Sequence, residues 1–104
     1  MRGDVYELKA PRNTRGHEQR GHRYAVVVQS DLLPLSTWLV APTSTSARPA
    51  SFRPEIEVEG GSTRVLVEQT AAIDPQRLGQ LVSHLTRGEL TALDGALRLV
   101  LHLT

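Results

Sequence analysis

The stretch Glu55 to Glu59, EIEVE, constrains the fold more than any other feature of this chain. Acidic and branched apolar residues alternate without a break. Successive side chains of a strand point to opposite faces, so Ile56 and Val58 face a core while the glutamates face solvent. Gly60-Gly61 reads as the reversal and Arg64 to Glu68, RVLVE, as the returning strand. A hairpin with one apolar face is not stable alone, because only further strands or a packed helix can cover that face.

The rest of the chain supplies both. Val5 to Leu8 reads as a short strand, and Tyr24 to Gln29, YAVVVQ, as a β-branched strand buried on both faces. Thr37 to Ala41, TWLVA, is another, closed by Pro42, and residues 42–54, PTSTSARPASFRP, have the composition of a loop. Asp74-Pro75 is an N-cap with proline at the first helical position, opening a turn through Leu78 that Gly79 ends. Leu81 to Leu85 is a short last strand. Thr86 and Glu89 then form a capping box ahead of Leu90, Leu93, Leu97, Val100 and Leu101, the apolar stripe of a terminal helix of about four turns. Leu99 and Leu103 lie off that stripe, which implies a second buried face, supplied by a dimer contact or by a deeper core. Strands first and one long helix last predict a β-rich α+β domain with antiparallel pairing, and 104 residues fit one domain, 1–104.

Several function classes drop out. Cysteine is absent, so neither disulfides nor thiolate metal sites are available. The start, MRGDVYELKAP, has no apolar leader, and no run approaches the roughly 18 apolar residues of a membrane span; a cytosolic, soluble protein is expected. His17 and His22 are five apart on a loop and fit no metal-ligand spacing, no glycine-rich phosphate loop follows a strand, and no G-x-S-x-G turn is present. Neither a metal nor another cofactor is expected.

What remains is the polar segment before the second strand. Residues 16–23, GHEQRGHR, hold five titratable groups in eight positions, and Arg2 to Arg23 carry six cations against Asp4, Glu7 and Glu18. Eleven of the twelve cations are arginine, whose rigid fork of donors suits phosphate. His17 and Glu18 can exchange protons near neutral pH, Arg23 can hold a phosphate bidentately, and Thr43 or Ser44 offers a hydroxyl. Such a set could cleave RNA through its own 2′-hydroxyl without a metal. A solvated loop in which Glu18 pairs with Arg20 or Arg23 explains the same residues, although a cation at the foot of a buried strand needs a partner or an opening to solvent.

The order of short motifs resembles the MazF/PemK family of toxin endoribonucleases. R-G-D-V-Y at 2–6, G-H-E-Q at 16–19, and G-H-R at 21–23 before a strand ending Q-S-D begin the series. V-A-P-T-S-T at 40–45, V-E-Q at 67–69, I-D-P-Q-R-L at 73–78 and the terminal amphipathic helix complete it in the family's order. The resemblance implies an SH3-like β-barrel with a C-terminal helix, and a homodimer that cuts single-stranded RNA at short sequences, leaving a cyclic phosphate and a free 5′-hydroxyl. It makes Arg23 the catalytic arginine at the scissile phosphate, Glu18 the favoured base with His17 close behind, and Ser44 or Thr43 the hydroxyl. It places RNA contacts at Gln19, Arg20, Arg15, Glu68 and Gln69. It also implies a cognate antitoxin whose acidic, disordered tail occupies the same groove.

Three positions depart from the family's pattern. Tyr24 stands where proline usually follows the arginine, either adding an aromatic surface or filling space. Ser44 is the gap-free match to a hydroxyl that is threonine in most members, with Thr43 the competitor. Ala71 stands where many relatives have an arginine. Two rival functions share the fold: gyrase binding through the terminal helix, against which Arg23 and a hydroxyl near 44 argue, and an inactive RNA-binding barrel.

Overall fold

The computed structural model describes residues 1–9 and 23–103. Among them are β1 (Asp4–Leu8), β2 (Tyr24–Val27), β3 (Trp38–Ser44), β4 (Glu55–Val58), β5 (Gly61–Val65), β6 (Ala71–Ile73), β7 (Leu78–His84) and the helix α1 (Arg87–Leu101). The strands form one antiparallel, strongly bent sheet in the order β4-β5-β3-β2-β1-β7, with β6 also paired to β3. This is the antiparallel, β-rich α+β domain that the order of elements predicts, and the small SH3-like barrel with a C-terminal helix that the family resemblance implies.

β3 is the hub. One edge takes β2, with Ala25 opposite Pro42 and Val27 opposite Val40. The other edge takes β6 along Trp38 to Val40 and then β5 at Thr43 and Ser44. Pro42 was expected to close this strand and instead lies inside it. Its nitrogen, which has no hydrogen to donate, falls where β3 passes from β6 to β5, so no ladder bond is lost there. Its carbonyl still accepts from the Leu66 N–H at 2.8 Å.

Because both faces of β2 are buried, the chain builds two apolar clusters. Tyr24, Val26 and Val28 point into the larger one with Val5, Ala41, Ile56, Val58, Val65 and Leu93, while Ala25 and Val27 join Val40 and Leu78 on the other side. The hairpin has the predicted polarity, Ile56 and Val58 being buried and Glu55 and Glu57 exposed. Its turn is one residue earlier than expected. Glu59 and Gly60 occupy it with φ of +53° and +82°, and Gly61 already pairs with Val58. Positive φ at both central residues is the reversal that matches strand twist. The returning strand is also displaced three residues towards the N-terminus of its expected position, running from Gly61 to Val65, after which Val67–Gln69 forms a 3-10 turn.

Asp74 caps the short turn Pro75–Arg77 by accepting from the Gln76 N–H, and Leu78 then opens β7, which begins earlier than Leu81 because it pairs along β1. The capping box of α1 is complete: Glu89 N–H donates to Thr86 Oγ1 (3.1 Å) and Thr86 N–H to Glu89 Oε1 (2.9 Å). Leu93 and Ala96 are buried, and Leu90 and Leu97 pack on the same cluster. The stripe stops there. Val100 and Leu101, expected in the core, are 37% and 59% exposed, and Leu99 and Leu103 are each 57% exposed. A deeper core therefore does not supply the second face of the helix. No helix among the described residues is long and apolar enough to cross a membrane.

Candidate active site

Arg23 and Ser44 stand at neighbouring strand ends. The β2–β3 register that pairs Ala25 with Pro42, carried two residues further, sets Arg23 opposite Ser44. Arg23 and Ala25 fall on the same face by the two-residue repeat, as do Pro42 and Ser44. The backbone of Arg23 is held from the other side, its carbonyl accepting from the Leu8 N–H at 3.0 Å. Its side chain is exposed and has no ion pair or hydrogen bond with any other described residue. A cation fixed at its root and open at its tip can accept an anion without first breaking an internal pair.

Thr43 and Ser44 divide the two tasks a hydroxyl could have here. Thr43 is 1% exposed, and its Oγ1 accepts from the Tyr24 N–H at 3.1 Å, closing the backbone where β2 begins. Ser44 is half-buried, and its Oγ lies 3.2 Å from the Ser46 hydroxyl and accepts from the Ser46 N–H at 3.3 Å. Of the two, Ser44 is on the face that Arg23 shares.

Tyr24 fills space rather than adding an aromatic surface. Only 7% of it is exposed, and its hydroxyl donates to Glu59 Oε1 at 2.9 Å. Burial pushes its phenol above the ordinary value, and the bond to Glu59 together with the negative charges of Glu59 and Glu7 pushes it further.

With this geometry stands a match over residues 1–101 to the family model for the PemK-like, MazF-like toxin of type II toxin–antitoxin systems. The chain belongs to this family. It is 46% identical over 97 residues to a Mycobacterium tuberculosis (strain ATCC 25618 / H37Rv) protein provisionally named a toxin, Rv3098A/RVBD_3098A, covering 92% of each chain. In fold it is similar to an endoribonuclease in complex with its cognate antitoxin from Mycobacterial species (TM-score 0.79, 15% identity, 100% of this chain and 96% of the other). It is also similar to the Mycobacterium tuberculosis toxin MazF-mt6 (TM-score 0.76, 16% identity, 97% and 98% covered).

Other parts of the expected PemK/MazF site are arranged differently from the sequence reading. Glu68 does not present a free carboxylate: Arg53 donates to its Oε2 through Nε (2.9 Å) and Nη2 (2.6 Å). That hydrogen bond holds the Glu68 carboxyl below its usual range, against a smaller opposing effect of burial. Arg53 also lies over the Phe52 ring and donates to the Arg48 carbonyl, so the segment between β3 and β4 is tied down onto the Val67–Gln69 turn. Gln69 is exposed beside it, and Ala71 is exposed on β6. The basic stripe is less free than its count suggests, since Arg2 is paired with Asp94 at 2.6 Å and Lys9 donates to the Gln76 carbonyl.

His17, Glu18, Gln19, Arg20 and Arg15 lie outside the described residues. Of the other histidines, His84 is 2.7 Å from Asp4 and His102 caps α1 in the left-handed conformation, both away from Arg23 in the chain's layout. Among the described residues no group of three or more His, Asp or Glu could hold a metal ion. Sequence reasoning missed Arg53 as the partner of Glu68 and Glu59 as the partner of Tyr24. The first carried no signal at a spacing of 15 residues; the second needed the turn register that brings Glu59 over β2.

Proposed function

We propose that this PemK/MazF-like toxin is an endoribonuclease that cuts single-stranded RNA at short sequences by attack of the ribose 2′-hydroxyl on the adjacent phosphate. The observation that carries the reading is Arg23: anchored through its backbone, exposed, and set at the end of β2 where the β2–β3 register, extended past Ala25 and Pro42, leads to Ser44. Two parallel N–H donors match two phosphate oxygens, and they strengthen as charge builds on the phosphorane.

In the proposed step the 2′-oxygen forms a bond to phosphorus, a base takes its proton, and the bond to the 5′-oxygen breaks. The leaving oxygen gains a proton, so the products are a 2′,3′-cyclic phosphate and a 5′-hydroxyl. No water or metal enters that balance. Glu18 or His17 serves as base, Arg23 stabilises the phosphorane and can protonate the leaving oxygen, and the Ser44 hydroxyl donates to a phosphate oxygen. Thr43 acts behind Tyr24 as a support. Unpaired RNA suits the site because its backbone can reach in-line geometry and its base edges are free.

The exposed Leu99 and Leu101 of the terminal helix, with Leu103 just beyond its cap, support a homodimer, since exposed apolar residues gathered at one end of an element mark a contact surface. An acidic, disordered antitoxin tail would neutralise the toxin by occupying the arginine-lined groove, in keeping with the antitoxin complex of the similar mycobacterial endoribonuclease. The test is incubation of purified protein with single-stranded RNA in a chelator, followed by chemical mapping of the new ends. Cyclic phosphate and 5′-hydroxyl ends are expected; intact RNA overturns the nuclease reading, and 5′-phosphate ends overturn the mechanism.

A further inference from the structure

The sheet face that carries Arg23 and Ser44 continues away from them into an aromatic pair. The two-residue repeat that sets Arg23 with Ala25 and Val27, and Ser44 with Pro42 and Val40, brings Trp38 onto the same face at the start of β3. From β1, Tyr6 joins that face opposite Ala25, which lies about 7 Å along β2 from Arg23. Ala25 and Val27 are small, so Tyr6 and Trp38, on the strands either side of β2, lean over them until their ring centroids are 5.7 Å apart at a tilt of 59°. On its other side Tyr6 pairs with Leu81 of β7, the only strand residue among the exposed large apolar side chains of the described residues.

Three features mark these rings as more than a cover for the small cluster beneath them. Both are half-buried, and neither the Tyr6 hydroxyl nor the Trp38 indole N–H has a hydrogen-bond partner among the described residues. Thr63 Oγ1 is the one buried side-chain polar atom there that lacks a partner, so the tips of Tyr6 and Trp38 are open to solvent. Leucine or phenylalanine would cover Ala25 without a polar tip; tyrosine and tryptophan are favoured where one end of the ring is apolar and the other wet. Of the four aromatic residues, these two share the face of Arg23, while Tyr24 is turned into the opposite cluster and Phe52 lies under Arg53. Finally, the strand positions between the rings and Arg23 on this face, Ala25, Val27, Val40 and Pro42, carry no charge, so nothing there repels a polyanion.

We propose that the Tyr6–Trp38 pair is a stacking platform for an unpaired base of the RNA, beside the phosphate that Arg23 holds. Every base has a π-face, so the contact tolerates any sequence and contributes affinity without adding to the salt dependence that phosphate contacts bring. Leu81 extends the apolar floor next to Tyr6, and the two polar tips stand at its rim. Holding one flanking base fixes the strand against the sheet, so that the neighbouring phosphate stays at Arg23 and Ser44. The platform rests on the endoribonuclease reading for its ligand, because Arg23 and Ser44 at the end of the same face mark where a phosphate lies.

Trp38 is the only tryptophan of the chain, so its fluorescence reports the platform directly. Single-stranded DNA of mixed sequence, which has no 2′-hydroxyl and is not cut, should quench the wild-type emission, whereas an abasic strand with the same phosphates should not. Trp38→Leu should bind the mixed-sequence strand about tenfold more weakly at every salt concentration, with an unchanged salt slope, and Trp38→Phe should recover most of the loss. Should Trp38→Leu not fold, the comparison of the two strands on the wild-type protein decides alone. Quenching that is absent, or equal for the abasic strand, overturns the platform, and if the same protein cuts RNA the nuclease stands without it. Emission that changes with protein concentration but not with DNA assigns the face to a second copy of the chain and also overturns it. Absence of RNA cleavage overturns the nuclease instead, and the two strands still decide whether this face stacks bases.

Discussion

Replacing Thr43 with valine separates the two hydroxyls that the chain places side by side. The substitution keeps shape and β-branching and removes one atom, the Oγ1 that accepts from the Tyr24 N–H at 3.1 Å. Thr43 is 1% exposed, so water cannot reach in to replace the lost acceptor. An unmatched buried amide costs about 1–3 kcal/mol, and for a chain of this size each kcal/mol lowers Tm by about 4–8 °C. Taking 2 kcal/mol as central, Thr43→Val should melt roughly 8–16 °C lower. Below its melting temperature it should retain most of its RNA cleavage, because Arg23 is still anchored by Leu8 and Ser44 is untouched. Ser44→Ala should do the reverse, keeping Tm within about 2 °C while lowering the rate by tenfold or more. Urea unfolding followed by circular dichroism and single-turnover cleavage of one RNA, run on both variants, measure the two quantities. A Thr43→Val protein with wild-type stability and no cleavage would refute the assignment and make Thr43 the functional hydroxyl.

Arg23→Lys keeps the charge and loses the fork, so RNA affinity should largely persist while the rate falls by about 10²-fold or more at an unchanged Tm. An RNA with one deoxyribose at the scissile position should resist the wild-type protein, and normal turnover in either experiment removes Arg23 or the 2′-hydroxyl from the mechanism. Light scattering at micromolar concentration should return about twice the 11.4 kDa chain mass, and Leu99→Asp should restore the monomer with the core intact; a monomeric wild type refutes the dimer. Arg53→Ala should cost about 0–1 kcal/mol at neutral pH, as expected for a partly exposed pair. Because the Glu68 carboxyl is held below its ordinary 4.5, the pair's contribution is present above that value and is lost as pH falls through the lowered one. The two stability curves should therefore converge in acid, and a gap that persists there assigns the effect of Arg53 to its contacts with Phe52 and Arg48 instead.

The legible parts of this fold are those decided by local chemistry. Alternation in EIEVE, the β-branched run after Arg23, the Asp74-Pro75 turn and the Thr86/Glu89 capping box each appear where the residues predict them. The misread parts depend on partners remote in sequence. Pro42 is accepted within β3 because that edge changes neighbour there, and the hairpin turn shifts to Glu59-Gly60 because Val58 pairs with Gly61. Val100 and Leu101 follow helical spacing but outrun the sheet that would cover them. The site was legible in part for the same reason. Arg23 and Ser44 follow from motif order, whereas the capture of Glu68 by Arg53 could be read only from packing.

Tyr24 links these two kinds of information. Proline, usual after the arginine in this family, has no N–H and could not donate to a side chain at position 43. Tyrosine restores that donor in the barrel interior, where a donor must be matched, and Thr43 supplies the acceptor. The same substitution adds a phenol that must also be satisfied, and Glu59 accepts it from a turn position that glutamate rarely adopts. Thr43, Tyr24 and Glu59 are therefore one coupled arrangement. Its Thr43 end lies next to the proposed catalytic hydroxyl, so a change at position 24 alters the support of the strand end that carries Arg23.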